Sequence, residues 1–307
     1  MTKLEWCRAN APDSFNGLSD DELLQAMEPM IHSGFADVPD FDTEEADVSD
    51  AYSVPMSKMD KIVLMLVREY GNKLAFKGGY MLSKLLGGTA RQTTDIDFSI
   101  SDSELYKSLI QSFTSVGDLL VAEGYIDRYV VKDVIERFRS GGMDMYSANG
   151  DKILGIDVGW HDIYFGTTST DIKITSVNAF TVERMLSDKV TAILSRKRFR
   201  RPKDIYDVYC LTNVFDYDST LVADFILKRT EGAGAEWRNY PFTEIVLREY
   251  EKAYNALNVR AVTKTYFDKP EFDKVMQRFD LICSKLLYPD SRPIWDHTKE
   301  VFVECRQ

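Results

Sequence analysis

The sequence predicts an α+β protein in which a small mixed-sheet core is followed by an all-helical domain. Three observations predict it. Short apolar segments of strand character, separated by Gly-containing turns, crowd the stretch from Leu74 to Ser176. From Asn178 onward, apolar residues recur at helical spacing almost to the end. The strong acidic bias is confined to the first 50 residues, which read as an extension of the folded body. Strands first and helices second is the ordering expected of an α+β module joined to a helical one. The division is 1–56 for the acidic extension, 57–177 for the mixed-sheet core and 178–307 for the helical domain.

At 307 residues, with 44% hydrophobic and 28% charged residues, the composition excludes a disordered, collagenous or disulfide-stapled chain. The formal charge is −11, and residues 1–50 supply all of it: they hold 13 acids against two bases, Lys3 and Arg8. The remaining body carries 36 of each sign. Cys7, Cys210, Cys283 and Cys305 are scattered with no CxxC pattern, which favours a reducing cytoplasm. There is no signal-peptide pattern, and the longest strongly apolar stretch, Ile62 to Val67, is too short for a bilayer. A soluble, cytoplasmic protein without a membrane partner is expected.

Taken in order, Ser19 to Glu22 resembles a helix cap before Leu23, and Asp37 to Asp50 holds seven acids and no base, a solvated linker. Met59, Ile62, Val63, Leu66 and Val67 mark a helix ended by Gly71-Asn72. Leu74-Ala75-Phe76 is a short strand leading into Lys77-Gly78-Gly79, and Tyr80 to Leu86 is a helix closed by Gly87-Gly88. Asp95 to Ile100 alternates as a half-buried strand, and a helix covers 103–123. Strands are predicted at 125–135, 143–148, 152–160 and 170–176. Helices follow around 182–196 and from Asp204, then at 218–229, 242–257, 270–287 and 294–304.

Chemistry concentrates in a few places. Asp95 and Asp97 lie two apart on a strand, so they share a face with α-carbons roughly 6.5–7 Å apart and suit one or two divalent cations. Solvated strand acids would look the same. Gly78-Gly79 stands between a strand and a helix, where amides are free for phosphate and Lys77 adds a cation; a tight turn needs the same glycines. Asp157 sits at the centre of the apolar run 154–158, and a buried charge there needs a metal or an Arg partner. Lys189 and Arg196 are seven apart, and Asp204 and Asp207 three apart, each pair on one helix face. They suit phosphate contacts or a salt-bridged helical hairpin. Arg196, Lys197, Arg198, Arg200, Arg201 and Lys203 put six cations in eight residues, a solvated loop or an RNA contact. No nucleophile motif such as GxSxG is present, and His32, His161 and His297 lack ligand spacing.

The run Phe76 to Leu82, with Arg91-Gln92-Thr93-Thr94-Asp95-Ile96-Asp97, resembles the nucleotidyltransferase toxins of the AbiEii/AbiGii type. More widely it resembles the DNA polymerase beta-like nucleotidyltransferase superfamily. The segments Glu183 to Arg196 and Arg201 to Val208 are similar to the family's later motifs. Tyr80-Met81 depart from it, standing where Thr-Ala is usual. The resemblance implies metal ligation by Asp95, Asp97 and Asp157, with Lys189 and Asp207 also catalytic. It implies nucleotide contacts from Lys77, Gly78, Gly79, Tyr80, Arg91, Thr93, Lys189, Arg196 and Asp204. The cofactor implied is Mg²⁺ or Mn²⁺, and the substrate an NTP whose NMP moves to a hydroxyl acceptor. That acceptor would be RNA or tRNA, and the protein the toxin of a toxin–antitoxin or phage-defence (abortive-infection) system with a cognate antitoxin. The same site would also serve a kinase-like phosphotransferase or a non-catalytic NTP- or RNA-binding regulator.

Overall fold

The computed structural model describes residues 57–87, 90–91, 93–100, 103–135, 140–160, 166–172, 174–194, 202–230, 240–257, 269–287 and 293–303, with isolated positions before 57 (7–9, 11, 17, 19–20 and 23). The linker expected at 37–50, and Arg196 through Arg201, lie outside them.

Helix α1 (Lys58–Tyr70) begins at Ser57, whose hydroxyl accepts from the Asp60 amide. That satisfies one of the orphan donors at a helix start. Strand β1 (Ala75–Lys77) follows, then helix α2 (Gly78–Leu86) and strand β2 (Asp95–Ile100). Helix α3 (Ser103–Ala122) leads to β3 (Arg128–Ile135), β4 (Ser140–Tyr146) and β5 (Lys152–Trp160). The hairpin β6 (Thr167–Asp171) and β7 (Ser176–Phe180) completes one seven-stranded sheet in the order β3-β4-β5-β2-β1-β7-β6. Strand β2 runs parallel to β5 and antiparallel to β1, and β1 is parallel to β7, so the sheet is mixed. The predicted strand at 170–176 is therefore the turn region of a hairpin, with Asp171 paired to Ser176. Strand β7 also runs through the expected boundary at 177/178.

The period of two sorts this sheet into two faces. Phe76, Ile96, Phe98, Ile100, Met143, Met145, Leu154, Ile156 and Val158 all point into the core and are buried. Phe98 packs against the rings of Phe76 and Phe113. The alternate positions carry Lys77, Asp95, Asp97, Asp144 and Asp157. Apolar burial fixes the register, because a slip of one residue would send every carboxylate into the core.

The second half consists of α4 (Val182–Leu194), α5 (Pro202–Val214), α6 (Ser219–Thr230), α7 (Glu244–Asn255) and α8 (Phe272–Leu287). It is not all-helical. The helix predicted at 294–304 is a hairpin of β9 (Ile294–Asp296) and β10 (Val301–Val303), paired to the two-residue β8 (Tyr217–Asp218). Asp296 Oδ1 accepts the amides of Thr298 and Lys299, and Glu300 takes a positive φ of 54°, which together make the reversal. Trp295 then stacks on Tyr217, meets Phe302 edge to face, and donates its indole N–H to the Thr212 carbonyl at 2.7 Å. Aromatic pairing and a turn-forming Asp outweigh the weak helical periodicity of 294–304.

Candidate active site

The charged face of the sheet, the start of α2 and the helices α4 and α5 enclose a cleft of about 530 Å³. That is within the usual range for a nucleotide-sized ligand. Lys77, Gly78, Gly79, Arg91, Thr93, Asp95, Asp97, Asp157, Lys189 and Lys203 all line it. The structure thus gathers residues from five separated sequence segments.

Helix α2 opens onto the cleft without a side-chain cap from Lys77, so its first amides are available to an anion. Gly78 adopts φ +66°, and a Cβ there would lie 2.0 Å from Asp97 Oδ2. A Cβ on Gly79 would lie 2.5 Å from Thr93 Oγ1. The hydroxyl of Thr93 also accepts from the Asp95 amide at 3.3 Å, which ties the β2 start to the glycine turn. Gly78→Ala therefore strains the backbone and expels the Asp97 carboxylate; it should cost roughly 1–3 kcal/mol of stability and nearly all activity, read by thermal unfolding and turnover.

Asp97 stands directly opposite Asp157 across β2–β5, with Asp95 opposite Gly155. Burial, partly offset by Lys77, raises the Asp97 carboxyl above the ordinary carboxylate range, and Asp157 pushes the same way. Asp157 is not buried as its apolar neighbours suggested. It lies on the cleft face, its side chain is 51% exposed, and its partner is a lysine, not an arginine: Lys132 Nζ donates to Oδ1 at 2.7 Å.

Lys189 on α4 is held in a buried quartet of charges. Its Nζ donates to Asp204 Oδ1 at 2.8 Å and to Asp207 Oδ2 at 2.7 Å. Arg91 donates Nε and Nη2 to the two oxygens of Asp207 at 2.8 and 2.9 Å, a bidentate pair. Burial alone would lower the Lys189 ammonium, but Asp207 and Asp204 outweigh it and the net direction is upward. Arg91 follows the same balance, with burial opposed first by Asp207. Both stay charged. Asp204 is 0% exposed and Asp207 is nearly so, so these acids face the two cations and not the nucleotide space. Lys189 and Arg91 reach the cleft as expected of nucleotide contacts, whereas Asp204, expected at the nucleotide, and Asp207, expected in catalysis, are buried and hold these cations.

Tyr80 is a correction. It is 1% exposed, and its hydroxyl donates to Asp60 Oδ1 on α1 at 2.8 Å. The residue packs into the core behind the glycine turn and neither stacks nor bonds in the cleft. Lys203, at the start of α5, is the one described member of the basic run, and it lines the cleft.

Sequence reasoning overlooked Lys132, Asp144, Lys152, Phe180, Met185 and Asp188. The last three line the cleft beside Lys189. Lys132, Asp144 and Lys152 surround the carboxylates from β3, β4 and β5, and no motif marks them. Alternation puts Asp144 on the cleft face of its strand, but Lys152 reaches that face only through a register shift in β5 that the sequence does not announce.

Among the described residues no three acids, histidines or cysteines are already drawn together as a metal cage. The donor set still fits a hard divalent cation: carboxylates on adjacent strands, one pair directly opposed, reachable from the cleft. The model of the family described as "Nucleotidyl transferase AbiEii toxin, Type IV TA system" matches residues 64–299, and the chain belongs to that family. Membership implies an NTP substrate and an antitoxin partner. Solved structures show distant likeness. JHP933 from Helicobacter pylori aligns over 75% of this chain and 93% of its own at 11% identity, with a TM-score of 0.42. An antigenic nucleotidyltransferase-like protein from Paracoccidioides brasiliensis aligns over 57% and 88% at 18% identity, with a TM-score of 0.35. The Megavirus polyadenylate synthase aligns over 50% of this chain and 31% of its own at 16% identity, with a TM-score of 0.35. No curated protein matches significantly. Among the described residues, no helix is long and apolar enough to cross a membrane.

Proposed function

We propose that this toxin transfers an NMP group from an NTP to a hydroxyl of an RNA acceptor, a tRNA 3′ end being the leading form, with Mg²⁺ or Mn²⁺ as cofactor. The setting proposed is cytoplasmic, in phage defence. The observation that carries the reading is the contact between Gly78 and Asp97. It places a phosphate-ready helix start against a carboxylate that faces a second carboxylate, so an α-phosphorus held by the first lies beside the others.

In this reading the amides of Gly78 and Gly79, with Lys77, seat the triphosphate. Lys189 and Arg91 meet its charge side by side, kept in place by Asp204 and Asp207. Asp95, Asp97 and Asp157 hold the cation, and Asp157, the most exposed of the three, accepts the acceptor hydroxyl's proton. The bound divalent cation supplies acidification of that hydroxyl and neutralisation of charge developing at phosphorus. Pyrophosphate leaves on the α2 side. Support for an RNA acceptor is the cationic run 196–203, whose described member Lys203 borders the cleft.

The test is a label-transfer assay with total RNA, Mg²⁺ and each NTP carrying ³²P at either the α or the γ position. Transfer of the α label to RNA, with pyrophosphate released, is the expected outcome. Transfer of the γ label would make the protein a phosphotransferase. Binding of NTP with neither label moving would make it a regulatory binder.

A further inference from the structure

Five side chains on three adjacent strands and the end of a fourth form an unbroken line of alternating charge beside the glycine turn. Lys132 Nζ lies 2.7 Å from Asp157 Oδ1 and 3.2 Å from Asp144 Oδ1. Lys152 Nζ lies 2.9 Å from Asp144 Oδ1 and 3.2 Å from Asp95 Oδ1. The line thus runs Asp157, Lys132, Asp144, Lys152, Asp95, with two of the three proposed cation ligands at its ends and Asp144 at its centre.

The backbone is shaped to make it. Met145 pairs with Leu154 but Tyr146 with Lys152, so Ile153 is an extra residue in β5. This bulge turns Lys152 onto the face of Gly155 and Asp157, a face it would miss in a regular strand. Gly155 leaves the space: a Cβ there would lie 2.6 Å from Asp95 Oδ1 and 2.7 Å from Lys152 Nζ. Asp144 is the more sheltered partner, 19% exposed at its side chain against 32% for Asp95 and 51% for Asp157. The two lysines hold its carboxyl below the ordinary range in spite of burial pushing it up. It anchors both ammonium groups, whereas the outer contacts sit in solvent, where ion pairs are weak.

We infer that Lys132 and Lys152, tethered by Asp144, are resident counter-ions of the carboxylate site that give up Asp157 and Asp95 to the divalent cation when the enzyme loads. The inference rests on the metal-dependent reading above. A cation site of several carboxylates is self-repelling when empty, and two lysines on hand neutralise it. An exposed ammonium–carboxylate pair is weak enough for a divalent cation to displace. Asp144 keeps the displaced lysines beside the cleft. It is not needed as a ligand itself, and the lysines act only through the carboxylates they cover, which makes all three positioning residues.

The experiment measures Mn²⁺ binding to the full chain by calorimetry, and unfolding temperatures with and without saturating Mn²⁺. Four proteins are compared: wild type, Lys132→Met, Lys152→Met and, as a control for net charge, Lys252→Met on the exposed face of α7. Removing either resident lysine should tighten Mn²⁺ binding roughly two- to fivefold, the worth of one exposed pair. It should also enlarge the rise in unfolding temperature on adding Mn²⁺, while Lys252→Met matches wild type. Should either lysine variant fail to fold, Asp144→Asn carries the test. Both cations then lean on Asp95 and Asp157 alone, and Mn²⁺ binding should weaken. Unchanged or weaker binding in the lysine variants, with wild type binding Mn²⁺ normally, overturns this inference and leaves the transferase reading intact. Equal tightening in Lys252→Met overturns it too, as a bulk charge effect. No Mn²⁺ binding by wild type would overturn both.

Discussion

Asp97→Asn should reduce label transfer by roughly a thousandfold or more, which corresponds to several kcal/mol of lost transition-state stabilisation. The substitution keeps the size and one acceptor oxygen but removes the charge a cation requires. It should also make the metal-free protein more stable. Burial raises the Asp97 carboxyl above its unfolded value, so the ionised form is disfavoured in the fold. The sign follows from linkage. For a group with a raised folded pKa that is an acid, the cost is fully present above that folded pKa, and it disappears as pH falls below the unfolded one. The Asn variant should therefore unfold at a higher temperature than wild type near neutral pH, and the gap should close as pH drops through the carboxylate range. A variant that is both less active and less stable at neutral pH would mean that Lys77 compensates the carboxylate fully, and that activity was lost through misfolding. Such opposed effects on activity and stability are typical of groups kept for chemistry.

Asp207→Asn should produce the largest loss of stability. Arg91, Lys189, Asp204 and Asp207 make a buried quartet of zero net charge, and Asp207 accepts three of the four hydrogen bonds described above. An amide in its place leaves one net positive charge enclosed and turns an N–H₂ group toward two cations. Breaking a buried pair from one side costs about 3–5 kcal/mol. The unfolding midpoint should fall by roughly 6–15 °C in a chain of this size. A double variant with Lys189→Met restores charge balance, so its loss should be smaller than the sum of the two single losses, as expected of residues sharing one network. Additive losses would show that the quartet is not a coupled unit. Transfer activity should fall in both single variants, because Lys189→Met removes a cation that lines the cleft and Asp207→Asn removes one of the two acids that hold it there.

Much of the core was legible because apolar alternation leaves few choices. Ile96, Phe98 and Ile100 must face inward, which by itself puts Asp95 and Asp97 on one outer face. The glycine turn was readable for the same local reason. The helical pair carrying Lys189, Asp204 and Asp207 was also readable from spacing. Of the two roles that spacing allowed, phosphate contact or a salt-bridged hairpin, the structure shows the salt bridges and a lysine that also reaches the cleft. What failed depends on distant partners. Asp157 looked buried because its neighbours are apolar, yet those neighbours occupy the opposite face of β5. Tyr80 stood in the motif as a nucleotide contact, yet α1 supplies Asp60 as the acceptor of its hydroxyl. The hairpin at 294–303 owes its existence to Tyr217, some eighty residues earlier, and no window of sequence contains both. Lys132 and Lys152 acquire meaning only when three strands align.

The close packing of Gly78 on Asp97 has an energetic corollary for the order of binding. The helix start that would receive triphosphate and the carboxylate that would receive the cation share one van der Waals contact, so neither can shift alone. Any displacement of the turn on nucleotide entry is passed to the carboxylate, and ligation of the carboxylate stiffens the turn. Affinities for the two ligands must then be linked, and linkage of this kind is reciprocal: the factor by which the cation tightens nucleotide binding equals the factor by which the nucleotide tightens cation binding. Under the proposed reading, a toxin so built would load poorly with either ligand alone and become competent when both arrive together.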